Sequence, residues 1–437
     1  MTSTGQGSGG LQLHADWLSA EGVLAPELAA TWCELQVRVN GRLVTAVEDR
    51  RDGTVRNSVW TSAYPAAEWL AQHWWLLQCN LRPAAAARDA WRWRSASTQH
   101  WMRSHNLRGA GSGMPWPDLV FLPEGNVVHL VWHAGPGVAG QPVTFLTTGQ
   151  EYVGTAQAMA ALEGFVDAVL ARLDEHRVSG TPLQREWSLL QSCDEEERDF
   201  ARAAARLGLD PFSIDDAVAE QIVTLSSVLD GYVLSEFLDS ADPADLLGAL
   251  EWLRWARRNT AAQPPGTPIE SVVAFSEGQR AEELRPWEVG YDLARRYRDH
   301  LELSHTDALD PKRFVGVRTT ARRSAGIDGL VISGGTGVGL MLHQVSGQKA
   351  QRFAAARALG LSLLQPDRGE FLLDPTPTEL TKASRAFAAE FLAPAQGISE
   401  YLAALPNPSR DAIDAIARRF NVSPEVVRRQ HENQIVN

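Results

Sequence analysis

The chain has 437 residues, 53 acidic against 41 basic side chains, a formal net charge of −12 and 44% hydrophobic residues. It is longer than the roughly 50–250 residues of one domain, so two or three domains are expected. No stretch approaches the ~18 consecutive apolar residues of a membrane helix, and the acidic balance disfavours general nucleic-acid binding.

Residues 1–12 open Gly/Ser/Thr-rich, with neither a basic start nor an apolar core. They read as a disordered leader rather than a signal peptide, which makes a cytoplasmic location the expectation. Residues 13–183 read as a mixed α+β, Trp-rich domain. Alternating apolar residues over 35–49 flank Asn40-Gly41, a pair that accepts the positive φ angles of a tight hairpin turn. A helix is predicted at Ala66–Leu77. A second hairpin fits Asp118–Leu122 and Val127–Trp132, with a strand at 142–147 and a helix over 156–176.

Eleven of the fifteen tryptophans precede residue 133. With Arg88, Arg92, Arg94, Arg103 and Arg108 between them, they suggest a platform for stacking bases or sugars, against the plainer alternative of a bulky core. The Gly-rich stretch from His105 to Trp116 is expected to be a surface loop and an N-terminal binding site, with His105, Arg108 and Trp116 as its residues. His129 and His133 have the spacing of a helical metal pair, yet their run alternates as a strand. Four residues along a strand span ~13 Å, too far for one ion. Cys33, Cys79 and Cys193 lie far apart and form no C-x-x-C, so burial is their expected role.

Residues 184–259 read as helical throughout. Asp194 suits a helix start, as does Asp242 before Pro243. Residues 260–268 (Thr-Ala-Ala-Gln-Pro-Pro-Gly-Thr-Pro) form the clearest linker, and a domain boundary is expected there, ahead of a C-terminal domain over 269–437.

In that last part, His300, His305 and Asp307 could form a ligand cluster, but they follow a helix end, where His commonly meets exposed carbonyls, and that plainer reading is favoured. Gly334 to Gly339 looks like a phosphate loop, but Leu340-Met341 stands where Lys-Ser or Lys-Thr is needed. Residues 351–364 (Gln-Arg-Phe-Ala-Ala-Ala-Arg-Ala-Leu-Gly-Leu-Ser-Leu-Leu) and 383–394 (Ala-Ser-Arg-Ala-Phe-Ala-Ala-Glu-Phe-Leu-Ala-Pro) carry a more specific pattern. It resembles the frame of the ImmA/IrrE metallopeptidases, which cut bacterial repressors and related regulators. Arg352-Phe353, Ala356, Leu359-Gly360, Phe387-Ala388-Ala389, Leu392 and Pro394 match that frame. Pro286–Leu301 resembles the family's first helix, Ile327–Ile332 its strand, and Asp411–Gln430 its closing helix pair. The tail also has helix-turn-helix spacing, but five Arg against four acids over 409–437 make a weakly basic reader.

The chemical positions differ. A helical His-Glu-x-x-His motif places two imidazoles on one face to hold zinc, with the Glu as general base. Here the first His slot is Arg357, the Glu slot Ala358, the second His slot Leu361, and the third-ligand slot Thr381. Glu379, two residues away, lies on the wrong side of a helix to substitute. The resemblance therefore implies a zincin-like domain whose cleft holds a peptide or protein segment without cutting it, with Arg357 as an anion contact and a sheet edge to which the peptide adds as a strand. No catalytic residue, metal or cofactor is expected.

The expected fold is α+β: a Trp-rich mixed domain, a helical middle segment and an ImmA/IrrE-like domain. The expected function is a catalytically inactive binding or regulatory protein in bacterial stress response, mobile-element control or defence. An enzyme or ligand sensor with its site in the N-terminal domain is one alternative, and a nucleic-acid-binding regulator is a less favoured one. No membrane partner is expected.

Overall fold

A computed structural model describes residues 9–20, 22–23, 25–81, 96–136, 140–141, 143–260, 285–334, 337–343, 347–403 and 410–435. The chain divides into two compact units, Met1–Ile222 and Val223–Asn437.

The N-terminal unit is mixed α+β. Strands β1 (Leu11–Trp17), β2 (Trp32–Val39), β3 (Arg42–Leu43) and β6 (Val59–Ser62) form one antiparallel sheet. Between β3 and β6 lie β4 (Val47–Asp49) and β5 (Val55–Arg56). They join β9 (Gly135–Pro136) and β10 (Val143–Phe145) in a second sheet, ordered β5-β4-β10-β9. Strands β7 (Asp118–Pro123), β8 (Val127–His133) and β11 (Gly149–Gly154) make a third, ordered β11-β8-β7. Both expected hairpins are present. At the first, Val39 pairs with Arg42, and Asn40 and Gly41 adopt φ of 46° and 77°, the left-handed pair that such a turn requires.

Helices α1 (Pro26–Ala30), α2 (Tyr64–Gln72), α3 (Trp74–Cys79), α4 (Ala96–His105), α5 (Thr155–Glu175), α6 (Pro182–Ser192) and α7 (Glu195–Arg206) complete this unit, and α8 (Asp216–Val228) crosses its boundary. The single helix expected at 66–77 is two, parted at His73, whose φ of −111° breaks the run. Asp194 caps α7 in a reciprocal capping box with Glu197. Residues 9–12 belong to the fold rather than to a leader. Leu11 is buried, and the Gly10 N–H donates to Asn40 Oδ1 at 2.7 Å.

The tryptophans largely build this core: Trp69, Trp75, Trp116, Trp132 and Trp187 are buried, whereas Trp60 is half exposed. Trp91, Trp93, Arg88, Arg92 and Arg94 lie outside the described residues. Cys33 and Cys79 are buried, and burial pushes the Cys33 thiol up to about 12. Among the described residues no helix is long and apolar enough to cross a membrane.

In the C-terminal unit, β12 (Val315–Thr320), β13 (Gly329–Gly334), β14 (Gly337–His343) and β15 (Glu370–Leu373) form a mixed sheet ordered β12-β14-β13-β15. Strand β12 runs parallel to β14 and the other pairs are antiparallel. In the glycine run at 334–339, Gly334 ends β13 and Gly337 opens β14, and the two are paired.

Helices α9 (Gly231–Ser240), α10 (Leu246–Asn259), α11 (Pro286–His300), α12 (Gln348–Leu364), α13 (Glu379–Leu392), α14 (Ala395–Ala403), α15 (Arg410–Arg419) and α16 (Pro424–Gln434) complete this unit. Helix α12 is buried around nearly its whole girth, Arg352 and Arg357 included, which marks a central helix rather than an amphipathic surface one. Its small residues let neighbours close in: a Cβ added to Gly360 would lie 2.7 Å from the Phe387 ring. On α11, a Cβ at Gly290 would lie 2.1 Å from the Ala383 carbonyl.

The unit begins well before the linker expected at 260–268, of which only Thr260 is described. The reason is long-range packing. Glu236 of α9 accepts from the Leu372 N–H of β15 at 2.8 Å. Arg257 of α10 bonds Glu370 at 2.9 Å, and Trp252 Nε1 donates to Arg322 O at 3.3 Å. Helices α9 and α10, read from sequence as part of a middle segment, pack with the C-terminal sheet.

Candidate functional site

A cleft of about 1010 Å³ lies within the C-terminal unit. Trp287 and Tyr291 of α11, Lys349, Phe353 and Arg357 of α12, Lys382 and Arg385 of α13, and Arg429 of α16 line it, with Asp328 just ahead of β13. Thr378 starts α13 by accepting from the Thr381 N–H at 3.1 Å, and Ser423 starts α16 in the same way from Val426 at 3.4 Å. These caps fix where the cleft-facing helices begin.

Arg357 sits deep in this cleft, 7% exposed. Its Nη2 donates to the Asp374 carbonyl at 3.4 Å, and Arg385 Nη2 donates to the same oxygen at 3.3 Å. Burial, then the adjacent Arg385 charge, pull the Arg357 pKa down to about 10, against the opposing pull of Asp374, Asp328 and Glu236. Burial likewise lowers Arg385. The buried Asp374 carboxyl is raised by desolvation although Thr376 bonds it, its N–H donating at 2.6 Å.

Arg352, five residues earlier on α12, is a structural tie. It donates to Leu309 O at 2.6 Å and Asn421 O at 3.3 Å, and pairs with Asp310 at 3.2 Å. It thereby joins α12 to the loop before β12 and to the turn before α16. The buried Arg298 similarly bonds Phe391 O at 2.7 Å and Asp307 O at 3.1 Å.

Residues 316–431 match the Peptidase M78 family model, the IrrE N-terminal-like domain. The C-terminal unit carries an ImmA/IrrE-like domain. Comparison with curated proteins finds no significant match.

Of the four positions read from sequence as the motif's slots, Arg357 alone lines the cleft. Ala358 and Leu361 belong to the apolar core, and Thr381 is buried in the first turn of α13, bonded to Thr378. These residues do not fit a zinc site. A guanidinium is a cation with donors only, and Leu361 has no lone pair. The chain contains no His-Glu-x-x-His anywhere. Among the described residues, no three His, Cys, Asp or Glu side chains are grouped to hold a metal ion. Sequence reasoning missed Arg385, Asp374 and Asp328. Arg385 stands four residues after Thr381 and so shares its helix face, a signal available from spacing alone.

The N-terminal candidates do not converge on a surface site. His105 ends α4, is fully buried and stacks on Trp101 at 3.8 Å. Its ring nitrogens face Trp101 O at 2.9 Å and Leu76 O at 3.2 Å, and burial pulls its pKa down to about 3. Trp116 is fully buried and donates from Nε1 to Gly111 O at 3.0 Å. Arg108 reaches the surface, where it bonds Pro136 O at 2.8 Å and lies 3.6 Å from Asp118. His129 and His133 share strand β8. His129 stacks on Tyr152 and lies 3.6 Å from the buried Glu124. Asp307 accepts from the Ser304 N–H at 2.9 Å, as a local cap.

Proposed function

We propose that the ImmA/IrrE-like domain binds a peptide or protein segment without cleaving it, and that the protein acts through this binding as a regulator. By resemblance, the setting is bacterial stress response, mobile-element control or defence. The observation that supports this reading is Arg357. A guanidinium stands in the first His slot, within bonding distance of a loop carbonyl that it shares with Arg385. Two cations at the bottom of a cleft oppose a divalent metal by charge and supply no lone pair to it.

Strand addition to the sheet is disfavoured along β15, because Glu236 already accepts from the Leu372 N–H on that edge. On that side of the sheet, recognition then relies on side chains projecting into the cleft.

The test is metal analysis of the purified protein by mass spectrometry, paired with peptide-cleavage assays with and without EDTA. The expected result is far less than one zinc per chain and no chelator-sensitive cleavage. One tightly held zinc per chain, lost when residues beside Arg357 are replaced, would overturn the proposal.

A further inference from the structure

The cleft has a charge that the chain as a whole lacks. Lys349, Lys382, Arg357, Arg385 and Arg429 line it, against the carboxylates of Asp328 and Glu425. Two of the chain's three lysines are among these, in a protein of net charge −12. Glu425 is engaged by its own helix, paired with Arg428 and with Arg429 at 3.0 Å.

The deepest of these cations has an unused donor. Arg357 is more than nine-tenths buried, and its Nε has no hydrogen-bond partner among the described residues. Its long Nη2 bond ends on a carbonyl oxygen that Arg385 also uses. The Asp374 carboxylate, which would otherwise answer both, instead accepts from Thr376 through its N–H and its hydroxyl. Two adjacent guanidinium groups donating to one carbonyl oxygen, with Asp374 and Asp328 offsetting their charge only in part, are a costly arrangement in a buried place. A carboxylate from outside would relieve it, because the planar fork of Arg matches carboxylate geometry. The surrounding walls are apolar, from Phe353, Leu342, Leu373 and Ala386, with Trp287 and Tyr291 among them.

We propose that this cleft selects an acidic segment: a peptide whose Asp or Glu side chain reaches Arg357 and Arg385 while apolar neighbours cover Phe353 and Leu373. This specificity rests on the peptide-binding reading above. Nucleic acid is the weaker occupant, since the −12 charge of the whole chain repels an extended phosphate backbone.

The experiment displays a library of random nonapeptides against the immobilised full-length protein. Enriched sequences are then measured as fluorescein-labelled peptides by fluorescence polarisation. The expected outcome is Asp or Glu enriched at a fixed position, with Glu→Gln in the peptide weakening binding by about tenfold or more, the scale of a lost charge-assisted hydrogen bond. Because Arg357 is buried and its replacement confounds folding, the protein variants are Arg385→Gln and Lys349→Gln, checked by melting temperature. Arg385→Gln should cut the Glu-over-Gln preference to under about threefold, and Lys349→Gln should reduce it less. Enriched peptides without an acidic residue would overturn the specificity and leave peptide binding standing. No enriched peptide would overturn both. Acid preference untouched by either variant would overturn the location, and tighter binding of labelled oligothymidylate than of any peptide would overturn the occupant.

Discussion

Glu236 is the site where pH should act most visibly on the C-terminal unit. It projects from α9, pairs with Arg368 at 2.6 Å and accepts from the Leu372 N–H. Its side chain is 18% exposed. Burial raises its pKa from 4.5 to about 7, outweighing the pull of Arg368 and of the Leu372 hydrogen bond, while nearby Asp374 adds to the rise. Between these two values the folded protein keeps a proton that the unfolded chain releases. Stability from this group is therefore complete below pH 4.5, declines as pH rises, and is gone above about 7. At ~1.4 kcal/mol per pH unit the interval amounts to ~3 kcal/mol. Glu236→Gln removes the titration and keeps a carbonyl to accept from Leu372. Urea unfolding of wild type and variant at pH 4.5, 5.5, 6.5 and 7.5 gives a difference curve in which other titrating groups largely cancel. Relative to the variant, wild type should lose ~3 kcal/mol across that range. A flat difference, or one that grows with pH, would refute the argument.

Other outcomes are equally specific. Gly360→Val should destabilise the C-terminal unit by ~1–3 kcal/mol, since even a Cβ meets Phe387 at 2.7 Å. Gly290→Ala should cost at least as much, because its obstacle is the Ala383 backbone carbonyl rather than a movable ring; thermal unfolding reads both, and an unchanged midpoint would contradict the close packing. His105, pulled by burial from 6.5 to about 3, should stay neutral from pH 8 to pH 5 by nitrogen-15 NMR. Its linkage runs opposite to that of Glu236, with stability lost as pH falls below 6.5, and an ordinary titration near neutrality would show that the ring is not buried.

What the sequence revealed was mostly local. The Asn40-Gly41 turn and the helix start at Asp194 depend on residues within a few positions of one another. The frame around Arg352-Phe353 and Phe387-Ala388-Ala389 was legible too, through its resemblance to the ImmA/IrrE frame. Affiliation of elements was not. Nothing within 231–259 announces that Glu236 and Arg257 find partners more than a hundred residues later. His105 misled for a related reason: glycines beside a polar residue suggest a surface loop, and only the packing of Trp101 and Leu76 around the ring reveals a core position. At the cleft, Arg357 was visible, but its pairing with Arg385 on a single carbonyl required two helices and a loop to meet.

The contact of α9 with β15 also bears on how this protein behaves when cut. Edge strands with unanswered N–H groups recruit other strands, and proteins suppress this by covering them. Here Glu236 answers Leu372 and Arg368, and Arg257 answers Glu370. A fragment starting at residue 269, the natural choice from the proline-rich stretch, would shed both helices and bare that edge. It should self-associate in light scattering, whereas a fragment from Val223 keeps its own cover and should remain dispersed.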